Sequence, residues 1–242
     1  MIRPIARYGL LLAIACAIAV ATSGPGYRLG WWPLPVAFGI LRWATYAAVV
    51  AVLAGATAVV LARRAGSRRD FVHALAAIAI GVTAMAGPLT LVWRGKQVPP
   101  IHDISTDTDN PPQFFAVLPL RAGAANPAAY GGPDVAAQQK KAYPHLAPLL
   151  LAVPPREAAA RARAVAYDMG WTVIAADRDE GRIEATATTP FFGFKDDVVI
   201  RVAPAPQGSR VDVRSVSRIG KSDLGTNARR IESFLERLGA GS

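Results

Sequence analysis

Three long apolar stretches near the N-terminus constrain this 242-residue chain more than any other feature. They cover residues 8–27, 43–62 and 71–93, and none of them contains Asp, Glu, Lys or Arg. A helix of about 20 residues crosses a hydrocarbon core of about 30 Å, and each stretch reaches that length. The sequence therefore predicts a membrane domain at residues 1–94 with three transmembrane helices.

The arginines around these stretches predict the orientation of the helices. Six lie on one side, in the N-terminus and in the loop between the second and third stretches: Arg3, Arg7, Arg63, Arg64, Arg68 and Arg69. The opposite side has Arg28 and Arg42 in its short loop. Basic segments stay in the cytoplasm. The N-terminus of a multi-pass protein of the inner (cytoplasmic) membrane is therefore predicted to be cytoplasmic, with the C-terminal part periplasmic or extracellular.

A cleaved signal peptide is the alternative interpretation of the first stretch. It would have the basic start, the apolar run and the small residues Ala19 and Ala21 at a cleavage site. A retained helix is favoured because two further apolar stretches follow. Both interpretations place the C-terminal part on the same side of the membrane.

Charge and composition exclude several classes of protein. The net charge of +10 divides into +8 for residues 1–94 and +2 for residues 95–242, so the part outside the membrane does not favour nucleic acid. The single cysteine, Cys16, excludes a disulfide scaffold and a Cys-based zinc site. Phosphate-binding glycine loops, G-x-S-x-G motifs and histidine pairs at metal spacing are missing from the sequence, so no cofactor and no metal is predicted.

The periodicity of residues 154–242 predicts the element order α-β-β-β-β-α. A helix opens at Pro154-Pro155, two hairpins cover 171–188 and 198–217, and an amphipathic helix follows Leu224. This order indicates an α+β fold, a small two-layer domain with an antiparallel sheet and helices on one face. Residues 95–153, rich in Pro, Asp, Asn and Gly, are predicted to form an extended strap with loops that belongs to the same domain.

Four separated motifs of this region resemble a known family. They are residues 101–107 (IHDISTD) with 110–114 (NPPQF), 194–201 (FKDDVVIR), 211–220 (VDVRSVSRIG), and Ser222-Asp223-Leu224-Gly225 with Asn227. Over residues 98–239 or so, the chain resembles the bacterial family catalogued as domain of unknown function 1499. The resemblance implies a protein of the cell envelope. It brings no catalytic residue, because the family has no established activity.

Alternation along the last strand predicts a row of arginines on one face of the sheet. Arg210, Arg214 and Arg218 share that face with Asp212, and Arg201 of the preceding strand joins them. Guanidinium groups in such a row are suited to carboxylate or phosphate groups, and these four arginines are the predicted ligand-binding residues. The alternative is a solvated face of weak cross-strand ion pairs.

A second candidate site is a polar cluster. His102, Asp103, Asp107 and Asp109 lie in the strap, and Asp196 and Asp197 enter a strand. Carboxylates of this kind hold Ca²⁺ or Mg²⁺ in some proteins. The favoured interpretation is instead that the strap side chains hydrogen-bond neighbouring backbone amides. Asp196 and Asp197 are expected on opposite faces of the strand, where they cannot act on one substrate.

These observations favour a non-catalytic envelope protein. Its partners are predicted to be the bilayer and, through the outward domain, a lipid such as an anionic lipid, a cell-wall component or another envelope protein. The alternative is a metal-dependent or aspartate-based hydrolase of the envelope. That enzyme would need Asp103, Asp107 and one of Asp196 or Asp197 to converge in a cleft.

Overall fold

The computed structural model describes residues 2–177 and 180–240, which form two compact units. The first unit contains the chain up to Trp93 together with Phe191–Gly193, and the second contains the rest. The N-terminal helices are α1 (Ile2–Arg28), α2 (Leu34–Arg64) and α3 (Arg68–Gln97). All three are long and apolar enough to cross a membrane, as the sequence predicted.

Small residues let the three helices pack closely. Buried residues form three layers, which are Ala6 with Ala58 and Ala74, Ala13 with Ala51 and Ala77, and Cys16 with Ala48 and Ala84. A Cβ added at Gly55 would lie 3.0 Å from the Ala74 carbonyl oxygen. Backbones therefore approach at glycine, which is how helices associate in lipid.

The second unit is built on a six-stranded antiparallel sheet in the order β1-β6-β5-β4-β3. Its strands are β1 (Asp103–Ser105), β2 (Leu149–Leu151), β3 (Thr172–Asp177), β4 (Arg182–Thr188), β5 (Lys195–Ala205) and β6 (Gly208–Ser217). Both β1 and β2 pair with the outer edge of β6, where Asp103 lies opposite Val216 and Leu150 opposite Arg210. Its helices are α4 (Gly132–Ala142), α5 (Pro155–Asp168) and α6 (Thr226–Ala240).

The predicted α+β class and the order α-β-β-β-β-α are confirmed in α5, β3 to β6 and α6. The strap is more structured than predicted, because it contributes β1, β2, α4 and a 3₁₀ turn at Leu118–Arg121. The two strands are three residues each, and they exist because β6 offers them an edge. A local hydrophobic period cannot reveal such short segments.

The two faces of the sheet have different covers. On one face, here called the helix face, Ile200 and Val213 pack with α5 and α6, and Trp171 stacks on Phe234 at 5.4 Å between ring centroids. The opposite face, here called the strap face, carries Val199 and Val216 under strap residues that include Phe114 and Val117. The predicted two layers therefore become three, since the strap covers the face expected to be open.

Candidate functional site

The row of arginines lies on the strap face, where the strap encloses part of it. In the sheet register Arg214 lies opposite Val199, and Arg201 lies opposite Asp212. The Arg214 side chain is 0% exposed and that of Arg210 is 41% exposed. The four arginines therefore do not form one accessible surface, which differs from the expectation of an open arginine face.

All three nitrogen atoms of the Arg214 guanidinium donate hydrogen bonds inside the unit. Its Nε and Nη2 atoms donate to the two carboxylate oxygens of Asp103 at 2.9 and 2.8 Å. Nη1 and Nη2 also donate to the carbonyl oxygens of Pro112 and Ala128 at 3.2 and 2.7 Å. The Phe114 ring lies 5.1 Å from the guanidinium carbon. A bidentate, ring-covered guanidinium of this kind holds the strap on the sheet and leaves no face for a ligand.

Arg218 is engaged in the same way with Asp197. Arg218 donates to both Asp197 oxygens at 2.9 and 2.8 Å, and Arg121 of the strap donates to one of them at 2.5 Å. The Thr186 hydroxyl adds a bond of 2.7 Å. Burial alone raises the pKa of Asp197, but the hydrogen bonds from Arg218, Thr186 and Arg121 outweigh it and hold the pKa of this carboxyl below its usual range.

A buried glutamate provides a third attachment for the strap. The Glu184 carboxylate is fully buried and accepts the backbone N–H groups of Phe115 and Val117 at 2.9 and 3.0 Å. Asp196 lies on the helix face instead, where Arg230 of α6 donates to it at 2.6 Å. Asp196 and Asp197 thus point to opposite faces, as alternation indicates.

Arg201 and Arg210 form a partly exposed network at the far end of the strap face. Nη2 of Arg201 donates to Asp107 and Asp212 at 3.1 and 2.9 Å, and Nη2 of Arg210 donates to the same two carboxylates at 2.8 and 3.0 Å. The hydrogen bonds to Asp212 raise the pKa of Arg210 further, so this arginine stays charged. Of the four predicted arginines, it has the most exposed side chain.

An open cavity of about 520 Å³ lies beside Arg210. Strap residues 106–109 form one wall, and the C-terminal end of α4 with the following loop (residues 139–148) contributes the other. Three residues of the two predicted sites meet here, Arg210, Asp107 and Asp109. This cavity is the candidate functional site, because it unites a cation, carboxylates and an apolar wall in an accessible place.

Several polar groups of the cavity are already committed to the fold. The Gln139 side chain pairs with the Ser105 backbone as a strand would, donating to its carbonyl at 2.6 Å and accepting its N–H at 2.9 Å. The Thr106 hydroxyl accepts the Val213 N–H at 2.9 Å. These residues therefore position the walls. At the rim, Lys140 donates to Asp109 at 3.0 Å, and both side chains are largely exposed.

The polar cluster does not converge as a catalytic or metal site would require. Asp103 lies beneath Arg214, Asp197 beneath Arg218, and Asp196 on the opposite face. His102 precedes β1, and its carbonyl oxygen accepts N–H groups of Asn227 and Ser217. Within residues 2–177 and 180–240, no group of three or more His, Cys, Asp or Glu residues is placed to hold a metal ion.

Comparison with known families matches residues 103–238 to the family described as "Protein of unknown function (DUF1499)". The chain belongs to this family. A search of curated proteins gave no match. The DUF1499 motifs noted in the sequence are the segments that join strap, sheet and α6, since Asp103 of the first motif pairs with Arg214 of a later one, 111 residues away.

The last motif of the DUF1499 region attaches α6. Asp223 accepts the N–H groups of Gly225 and Asn227 at 2.9 and 2.6 Å, and burial raises the pKa of Asp223. The Asn227 side chain is fully buried and donates to the His102 carbonyl and the Ser217 hydroxyl, both at 3.0 Å. A satisfied buried amide of this kind fixes the position of the helix.

Eight residues that line the cavity were not among the predicted site residues, namely Thr106, Thr108, Gln139, Lys140, Tyr143, Pro144, Leu146 and Pro148. For Gln139 and Lys140, which lie on α4, the sequence does contain a signal that identifies the helix. Gly131-Gly132-Pro133-Asp134 places a proline and an acidic residue in the first turn of α4. This segment lies inside residues 95–153, which were predicted to form an extended strap with loops.

Proposed function

We propose that this DUF1499 protein is a membrane-anchored, non-catalytic binding protein of the bacterial cell envelope. Its three apolar helices cross the cytoplasmic membrane, with the arginine-rich N-terminus and the α2–α3 loop in the cytoplasm. The second unit then lies outside the cytoplasm. The length of the helices and the excess of arginines on one side support this arrangement.

The observation that carries the proposal is the cavity beside Arg210. Its volume of about 520 Å³ falls within the range of about 300–1,000 Å³ typical of small-molecule sites. Its lining combines apolar side chains such as Leu146 with a few charged groups, the usual composition of a binding site. A lipid or a cell-wall component is the class of ligand expected in the proposed location.

The contacts of the aspartates favour binding over the alternative of hydrolysis. A hydrolase of the proposed kind needs Asp103, Asp107 and one of Asp196 or Asp197 around one substrate. Each of these carboxylates instead accepts hydrogen bonds from an arginine. An ion-paired carboxylate such as Asp197, whose pKa lies below its usual range, is a weak general base.

The binding proposal is tested by filling the cavity. The full chain, its Thr108→Trp variant and a Thr172→Trp control are extracted into lipid nanodiscs, and the small molecules that remain bound are identified by mass spectrometry. Thr172 is exposed on the edge strand β3 and does not line the cavity. We expect wild type and control to retain a molecule that Thr108→Trp loses. The same bound molecules in all three proteins would contradict the proposal.

The proposed topology is tested by reporter fusions after Gly66 and after Gly123. The first position lies between α2 and α3, and the second lies in the strap. We expect a cytoplasmic signal at Gly66 and a signal from outside the cytoplasm at Gly123. A cytoplasmic signal at Gly123 would contradict the orientation.

A further inference from the structure

We infer that the cavity beside Arg210 binds an amphiphilic anion, a phosphate or carboxylate group joined to an apolar chain. The inference rests on the proposed binding function and adds the chemical class of the ligand. It follows from counting which hydrogen-bonding groups in the cavity the fold has already used.

The Asp107 and Asp212 carboxylates at the cavity are occupied. One Asp107 oxygen accepts the backbone N–H groups of Asp109 and Asn110 at 3.2 and 2.8 Å, and the other accepts from Arg201 and Arg210. Both oxygens of the neighbouring Asp212 carboxylate also accept from Arg210. These carboxylates have little capacity left for the hydroxyl or ammonium groups of a ligand.

The donors are not exhausted. Arg210 uses Nε and Nη2 for its ion pairs, while its Nη1 atom has no hydrogen-bond acceptor among the described residues. The Lys140 ammonium uses one of its three N–H groups, on Asp109. That pair is 59% and 86% exposed, so it is weak and yields to an incoming anion. The cavity therefore offers cationic donors from Arg210 and Lys140, and its remaining carboxylate is the exposed Asp109, with which Lys140 is already paired.

The apolar side of the cavity favours an anion that carries an apolar chain. Leu146, Pro144, Pro148 and the ring of Tyr143 line it. Leu146 and Tyr143 also pack on the main hydrophobic core, which fixes this wall in place. A free inorganic anion would leave this surface exposed to water, whereas a short alkyl or acyl chain would cover it.

The test uses octyl phosphate as the probe, with inorganic phosphate and octanol as its two halves. Each is titrated against the full chain in nanodiscs of phosphatidylcholine, with empty nanodiscs subtracted, and binding is followed by calorimetry. We expect octyl phosphate to bind at least about tenfold more tightly than either half, because only this probe has both the charge-assisted hydrogen bonds and the apolar contact. Thr108→Trp should abolish its binding.

Three variants test the charge directly. Lys140→Gln and Arg210→Gln should each weaken octyl phosphate binding, by about tenfold for Arg210 and several-fold for the more exposed Lys140. Lys141→Gln is the matched control, since it removes the same charge from the next residue of α4, outside the cavity lining. Equal weakening by Lys140→Gln and Lys141→Gln would indicate diffuse surface charge and overturn the inference.

The remaining outcomes separate the inference from the proposed function. If octanol binds as tightly as octyl phosphate and Thr108→Trp blocks both, the cavity is a binding site but its ligand is not an anion. If no probe binds and Thr108→Trp loses no retained molecule, both proposals fail. Nanodiscs that contain phosphatidylglycerol identify the source: competition with octyl phosphate indicates a membrane lipid, and undiminished binding indicates a soluble anionic amphiphile.

Discussion

The two faces of the sheet are both buried and differ in chemistry, since the helix face is mainly apolar and the strap face combines several buried ion pairs with a smaller apolar cluster. On the helix face Ile200, Val213 and Phe234 are fully buried, and on the strap face Asp197 and Arg214 are too. Apolar packing tolerates the exchange of one apolar side chain for another of similar volume. A buried charge instead requires one particular counter-charge in one geometry. The helix face therefore stabilises the domain, and the strap face determines where an irregular strap of the chain lies.

The cavity lies where the buried ion pairs between the strap and the sheet end. Arg214 is enclosed and donates from all three of its nitrogen atoms, whereas Arg210, four residues earlier on the same face, donates from Nε and Nη2 and has no acceptor for Nη1 among the described residues. The same residue type thus has two roles along one strand. The roles differ because the strap covers Arg214 and leaves Arg210 partly exposed, although both arginines lie on the same strand.

The largest expected effect is that of breaking one buried ion pair. Arg214→Met leaves the Asp103 carboxylate buried without its partner, and we expect a loss of about 3–5 kcal/mol in the free energy of unfolding. Pulse proteolysis of the second unit in urea, on the full chain in detergent, measures it. A loss below about 1 kcal/mol would show that solvent reaches this pair.

A double variant measures how much of this loss of stability comes from the unpaired charge. Adding Asp103→Leu to Arg214→Met removes the unpaired charge, so the double variant should regain about 2 kcal/mol relative to the single one. On the helix face Phe234→Ala creates a cavity with an expected cost of about 3–5 kcal/mol. A double variant less stable than Arg214→Met would mean that the charge on Asp103 is not what destabilises the single variant.

The smallest expected effect is the response to acid. The folded-state pKa of Asp197 is below its ordinary value of 3.8, so this group contributes stability that is present above that value and is lost as pH falls through the folded pKa. Asp223, with a raised pKa, contributes in the opposite sense, since its contribution falls as pH rises through its folded value. Asp197→Asn should therefore flatten the loss of stability below pH 4, relative to wild type.

Unfolding curves between pH 2 and pH 5 test this prediction, with Phe234→Ala as the control. That substitution removes no titratable group, so it should shift stability by a similar amount at every pH. An unchanged acid slope in Asp197→Asn would contradict the role given to this carboxylate.

Much of the fold could be predicted from local patterns. The three apolar stretches identify α1 to α3, and strict alternation identifies β4 with the observed bounds, 182–188. Alternation also placed Arg210, Arg214 and Arg218 on one face of the sheet, and it put Asp196 and Asp197 on opposite faces of their strand. It could not reveal what covers that face, because the covering residues are distant in sequence. Arg121 and Asp197, for example, are 76 residues apart.

The candidate site was predictable only in part, for the same reason. Asp107 and Asp109 were predicted as members of a polar cluster of the strap, and Arg210 was predicted as part of the row of arginines on the last strand. Lys140 and Leu146 join them through the pairing of Gln139 with the Ser105 backbone, a tertiary contact that brings α4 against the strap. No motif in the sequence records that contact.

The most direct test of the account is the hydrogen exchange of two strap amides, those of Phe115 and Val117. Both donate to the buried Glu184 carboxylate, so we expect them to exchange as slowly as the central amides of β5, such as that of Val199. Amide exchange of the full chain in nanodiscs measures them at neutral pH. Exchange within about tenfold of an unstructured peptide would contradict the account, because the strap would then not form a layer of the folded domain.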